Sequence, residues 1–137
     1  MKLRRLILTF ILGSALLFWN SSPVDAVPPL PSSFWGTVTV NGASVPADVP
    51  ISAWINGVQY AVTNTLIVGG DSVYSLSIPG DDPTTTGIIE GGTEGQTIIF
   101  KIDQFSASQT GTWHVASNTR LDLTATGYWI FLPLIGR

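Results

Sequence analysis

Residues 49–62, Val49-Pro50-Ile51-Ser52-Ala53-Trp54-Ile55-Asn56-Gly57-Val58-Gln59-Tyr60-Ala61-Val62, decide the fold class. Val49, Ile51, Ala53 and Ile55 alternate with Pro50, Ser52 and Trp54, the period of two that sends successive side chains to opposite faces of a strand. Asn56-Gly57 then supplies two residues that tolerate positive φ, and Val58, Tyr60 and Val62 resume the alternation at once. Two alternating runs separated by Asn-Gly predict a hairpin closed by a two-residue turn.

The same pattern extends in both directions. Upstream, residues 34–40 (FWGTVTV) alternate and end at Asn41-Gly42, which predicts a first strand and a tight turn. Downstream, a Gly69-Gly70-Asp71 break precedes a fourth strand over 72–78, with Tyr74, Leu76 and Ile78 on one face. Residues 79–95 are crowded with Gly, Pro, Asp and Thr, which favour turns and interrupt ladders, so they form the longest predicted loop. Runs at 97–102, 109–114 and 119–125 complete the set, and no stretch has helical periodicity. The predicted fold is all-β, a two-sheet antiparallel sandwich of about seven strands, Ig-like or transthyretin-like, with a small barrel as the alternative.

Lys2, Arg4 and Arg5 precede an apolar run over 6–19 that only Thr9, Gly13 and Ser14 interrupt. As a helix, about fourteen residues would reach about 21 Å, short of a hydrocarbon core of about 30 Å. Val24 and Ala26 stand where a signal peptidase requires modest side chains. Residues 1–26 are therefore expected to be a signal peptide cut after Ala26, and residues 27–33 (VPPLPSS) a Pro-rich linker. A β-sandwich domain over 34–126 and a hydrophobic C-terminal tail over 127–137 follow, and the expected location is secreted or cell surface.

Composition removes several function classes. With no cysteine, the chain can form neither a disulfide framework nor a thiolate site. Beyond residue 26, Lys101, Arg120 and Arg137 face eight acidic residues, a formal charge of −5. Nucleic acid is not an expected partner, because phosphate binding needs a basic footprint. Membrane contact is expected only through the signal before cleavage or through the tail. Tyr128 to Arg137 are too short, and interrupted by Pro133, to cross a bilayer as a helix, and they lack an LPxTG sequence. They suit an edge strand or strap on the sandwich, or a device that retains the protein at the surface.

His114 is the only histidine, predicted as a solvent-facing strand residue, and no G-x-S-x-G sequence occurs, so no enzyme is predicted. No cofactor is expected. The one metal alternative is Ca²⁺, whose preferred hard oxygen ligands Asp71, Asp81, Asp82, Glu90 and Glu94 could supply, although EF-hand and nonapeptide spacing are lacking. Trp35, Trp54 and Trp113 are candidates for a flat platform on which sugar rings stack. Strand alternation puts Trp35 and Trp54 opposite the core faces.

Several stretches occur together in a recognisable order: Ser33-Phe34-Trp35-Gly36-Thr37-Val38, Val40-Asn41-Gly42, Val45-Pro46 and Ile51-Ser52-Ala53-Trp54-Ile55-Asn56-Gly57. Tyr74-Ser75-Leu76, Pro79-Gly80-Asp81-Asp82-Pro83, Glu94-Gly95, Ile98 to Lys101, Thr110 with Trp113, and Leu121-Asp122-Leu123-Thr124 follow. Over residues 33–125 the chain resembles a β-sandwich module of secreted and surface-displayed bacterial and archaeal proteins, similar to carboxypeptidase-regulatory-like, prealbumin-type domains. That resemblance implies a non-catalytic structural or adhesion module at the cell exterior, with cell-surface proteins or glycans as partners, and it brings no catalytic residues. One departure is Asp48, where such a Val-Pro-Ala-Gly turn has glycine. The tail also resembles aromatic, LPL-containing, Arg-ending C-termini of some bacterial secreted proteins. The alternative function is a carbohydrate-binding module using surface tryptophans. A glycan platform should expose at least two coplanar indoles, whereas a spacer should bury or scatter them.

Overall fold

The computed structural model describes residues 27–129. The signal peptide expected over 1–26 and the tail beyond Trp129 lie outside the described residues.

Among the described residues ten strands form two sheets. The first sheet has the order β10 (Leu123–Ala125), β1 (Ser32–Val40), β6 (Asp71–Ile78), β5 (Leu66–Val68), and β2 (Ala43–Ser44) and β9 (Asn118–Arg120) also pair with β1. The second has the order β4 (Val58–Asn64), β3 (Pro50–Ile55), β7 (Thr97–Ile102), β8 (Phe105–Thr112). This is the expected all-β two-sheet sandwich. Its ladders are antiparallel except where β9 and β10 run parallel to β1.

The Asn56-Gly57 hairpin forms as the sequence predicts: φ is +50° at Asn56 and +79° at Gly57, and Ile55 pairs with Val58. The alternation beyond it does not continue in phase. A register shift sets Gln59 opposite Trp54 but Ala61 opposite Ala53, so Tyr60 is the extra residue of a bulge. Ala61 consequently packs on the core, while Val58 and Val62 are exposed.

Four other expectations need correction. Gly69-Gly70 is a tight turn, with φ +61° and +93°, joining β6 to a strand the pattern did not mark: β5, whose Leu66, Ile67 and Val68 are all exposed on a sheet edge. The run 119–125 is two strands. The backbone at Gly36 lies so close to Leu121 that a Cβ there would stand 2.5 Å from the Leu121 carbonyl oxygen. Asp122 bridges the break by accepting the Thr37 N–H at 2.9 Å. The eighth strand starts at Phe105 and ends at Thr112, so His114 sits in the turn that follows it. Finally, β1 starts inside the expected linker: Ser32 is fully buried and Pro29 approaches Gly80. Asp48, with φ +64°, adopts the left-handed conformation that glycine usually supplies.

The core lies between the sheets. Phe34, Val38 and Val40 of β1, Tyr74, Leu76 and Ile78 of β6, and Leu123 of β10 face Ile51, Ala53 and Ile55 of β3 and Ile98, Phe100 and Ile102 of β7. Phe34 and Phe100 meet edge to face with centroids 5.2 Å apart. Side-chain hydrogen bonds close the flanks. Gln109 joins β8 to β10 by accepting the Thr124 N–H at 2.8 Å and donating to the Thr124 hydroxyl at 2.9 Å. On the far flank, where β4 passes into β5, the buried Thr65 hydroxyl donates to the Pro46 carbonyl at 2.8 Å and accepts the Val49 N–H at 3.0 Å. Trp129, the last described residue, packs on Phe105 and donates its indole N–H to Asp103 at 3.0 Å, beside the β7–β8 turn.

Candidate functional site

The three candidate tryptophans separate. Trp113 is only 2% exposed, and its indole N–H donates to the Ile78 carbonyl at 3.2 Å. Because β8 ends at Thr112, Trp113 is free of the strand's alternation and turns into the core. It is therefore no surface ligand platform. Trp54 lies on the outer face of the second sheet, half-buried, with its indole N–H bonded to the Ser52 hydroxyl at 2.8 Å and the Lys101 ammonium 4.1 Å from the ring centroid. Trp35 lies on the outer face of the first sheet and is 44% exposed. Trp35 and Trp54 thus look away from one another and do not share one plane of contact. Each carries one of the two cationic side chains among the described residues, with the Arg120 guanidinium 5.6 Å from the Trp35 centroid.

Around Trp35 the sheet register builds a hollow of about 320 Å³. Trp35 pairs with Ser75 of β6 on one side and Arg120 of β9 on the other, while Thr37 pairs with Val73 and Val73 with Leu66. Trp35, Val68 and Val73 give the hollow apolar walls, and Thr37, Ser75 and Arg120 complete a lining whose exposed surface is almost wholly apolar. Asp122 flanks it, with one carboxylate oxygen fixed by the Thr37 N–H and the other accepting from Arg120 at 3.3 Å. The Thr37 N–H chiefly, aided by Arg120, holds this carboxyl below the usual carboxylate range. Beneath, the Tyr74 hydroxyl donates at 2.8 Å to the Leu121 carbonyl that the β9–β10 break frees. Burial first, and the Asp122 charge second, push the phenol well above its ordinary value. The indole was legible from alternation, but its polar neighbours were not, since Asp122 reaches Thr37 from 85 residues away.

A second hollow, of about 510 Å³, opens over the edge of Trp113 between Pro29, Pro83 and Val115, with Asp81 and Glu94 at its rim. Here Glu94 pairs with the ring Nδ1 of His114 and accepts the Val115 N–H at 3.2 Å. The His114 hydrogen bond, then that of Val115, lowers the Glu94 carboxyl from its ordinary pKa of 4.5. For a depressed carboxyl, the stabilisation is complete above the unfolded pKa and is lost as pH falls through the folded one. Glu94→Gln should therefore unfold at a lower temperature than wild type near neutrality, with the gap closing as pH falls below the ordinary glutamate value of 4.5. Melting curves in a pH series check this; a gap that persists undiminished in acid would refute the pairing.

The five acidic calcium candidates do not converge. Asp81 accepts the Glu90 N–H at 2.9 Å, and Asp82 accepts both the N–H and the hydroxyl of Thr84 at 2.9 and 2.7 Å. Glu90 accepts the Thr85 hydroxyl at 3.2 Å, Glu94 is held by His114, and Asp71 starts β6 beside Val68. Among the described residues no group of three His, Asp or Glu side chains gathers as a metal site. The loop's own donors hold one oxygen each of Asp81, Asp82 and Glu90.

By fold and site, then, the described residues form an all-β two-sheet sandwich with a lined hollow on an open sheet face. No protein-family model, curated protein or solved structure matches it.

Proposed function

We propose that the protein is a non-catalytic structural or adhesion module that works at the cell exterior, secreted or held at the surface. The observation that carries this reading is the apolar strip on one side of the first sheet: Leu66 and Val68 on edge strand β5, 62% and 61% exposed, continuing through Val73 to Trp35. Contiguous apolar surface marks a place where another surface docks. The cationic and apolar N-terminus supports export, and the residual negative charge argues against nucleic acid or an anionic lipid face as the partner. The isolated, scattered indoles suit such a module better than a broad sugar platform.

The test is the distribution of exported protein between cells and medium. Leu66→Lys/Val68→Lys, which alters only outward-facing side chains, should shift the protein toward the medium while leaving its unfolding midpoint near that of wild type. An unchanged distribution would remove the strip from the mechanism of adhesion. A second reading, a carbohydrate-binding module, is favoured by one observation, the exposed Trp35 ring in an apolar hollow with the Arg120–Asp122 pair beside it.

A further inference from the structure

We infer that the hollow beside Trp35 is a subsite for one ring of a neutral glycan, with the indole as stacking wall and the Arg120–Asp122 pair as the hydroxyl-binding edge. The inference rests on the carbohydrate-binding reading and assigns it to one of the two outer faces. A pyranose presents an apolar face of C–H groups and an equatorial rim of hydroxyls. The hollow presents the apolar half, with Trp35, Val68 and Val73 as walls of an almost wholly apolar surface, and the Arg120–Asp122 pair supplies polar groups at its margin. At about 320 Å³ it stands at the lower end of the range of about 300–1,000 Å³ that ligand pockets span, which suits one ring of a chain rather than an enclosed oligomer.

Three features separate this place from a merely exposed tryptophan. Asp122 is oriented before any ligand arrives, because the Thr37 N–H holds one oxygen at 2.9 Å, so its acceptor costs little ordering on binding. Arg120 is loosely held: its side chain is 60% exposed, its bonds to Asp122 are 3.3 and 3.5 Å long, and it stands 5.6 Å from the indole centroid. It can swing from the ring to a hydroxyl while keeping its carboxylate partner. The charges of the pair cancel, and in an acidic protein that favours a neutral sugar over an anionic one. At Trp54 the cation sits closer, with Lys101 4.1 Å from the ring centroid, and the indole N–H is already bonded to Ser52.

Calorimetric titration with cellohexaose, xylohexaose, mannohexaose and chitohexaose tests the assignment. Wild type should bind at least one of them, Trp35→Ala should raise its Kd about tenfold or more, and Trp35→Phe should fall between the two. Trp54→Phe should stay within about twofold of wild type. Near-ultraviolet circular dichroism checks that each variant is folded, and Trp35→Phe keeps the comparison usable if Trp35→Ala is not. Binding that survives in both Trp35 variants, or that disappears in Trp54→Phe, overturns the site and leaves the carbohydrate reading standing. Failure of wild type to bind any of the four overturns both.

Discussion

Phe100→Ala should destabilise the protein by about 3–5 kcal/mol. Phe100 is fully buried at the centre of β7, edge-on to Phe34 of the opposite sheet, so its ring fills the space where the two sheets meet. The residues around it cannot move in to fill a hole. Its neighbour in β3 is Ala53, and on the β8 side Gly111 fits so tightly that a Cβ there would stand 2.9 Å from Phe34 and 3.1 Å from Phe100. Small residues fixed in a ladder leave a cavity in place, which puts the cost at the upper part of the usual range, and the lost edge-to-face contact adds about 0.5–1.5 kcal/mol to the area term. Since domains of this kind have only about 5–15 kcal/mol in total, the variant should be marginal at physiological temperature. Urea unfolding measures this: the midpoint should fall with the slope unchanged. A loss below about 1 kcal/mol would mean that the core is looser than the Phe34–Phe100 geometry requires.

What the sequence made legible follows the range over which each interaction acts. The hairpin at Asn56-Gly57 and strand β7 could be read because their signals, positive-φ turn residues and period-two alternation, are contained within the segment. Strand β5 could not. Leu66-Ile67-Val68 has no alternation, being a short edge with all three side chains exposed, and only pairing with Asp71–Val73 makes it a strand. The break between β9 and β10 is still less local, set by the close approach of Gly36 to Leu121 and by the bond from Thr37 to Asp122. The same holds for the candidate site. Alternation turned Trp35 outward correctly, but its hollow takes walls from β5, β6 and β9, and which residues meet there is decided by sheet order. Nor could the acids of the 79–95 loop show that nearby N–H and hydroxyl groups hold one oxygen each of Asp81 and Asp82.

Trp113 shows the limit of pattern most clearly, and Trp113→Ala should destabilise the protein by about 3–5 kcal/mol without affecting any function of the outer sheet face. The long loop closes around this indole. Gly80 and Gly92 form a bridge, with the Asp81 N–H bonded to the Gly92 carbonyl and the Gly92 N–H to the Pro79 carbonyl, each at 2.9 Å. Both glycines press on the ring: a Cβ on Gly92 would lie 2.4 Å from Trp113 Cδ1, and one on Gly80 would lie 2.9 Å from Cζ2. Only glycine allows the backbone so near, and those loop glycines were the signal that a large side chain was to be enclosed. Removing the indole opens a hole beneath the bridge and strips the Ile78 carbonyl of its donor. Trp113→Phe separates the two effects, because it keeps most of the volume but not the N–H, and its cost should be nearer about 1–3 kcal/mol. Gly92→Ala, which leaves the indole in place and forces the bridge off it, should also destabilise, by about 1–3 kcal/mol. Denaturant midpoints rank the three variants, and limited proteolysis should cut the Trp113→Ala protein within the 79–95 loop earlier than wild type. Wild-type stability in Trp113→Ala would return that side chain to the surface, and with it the case for a tryptophan platform spread over more than one ring.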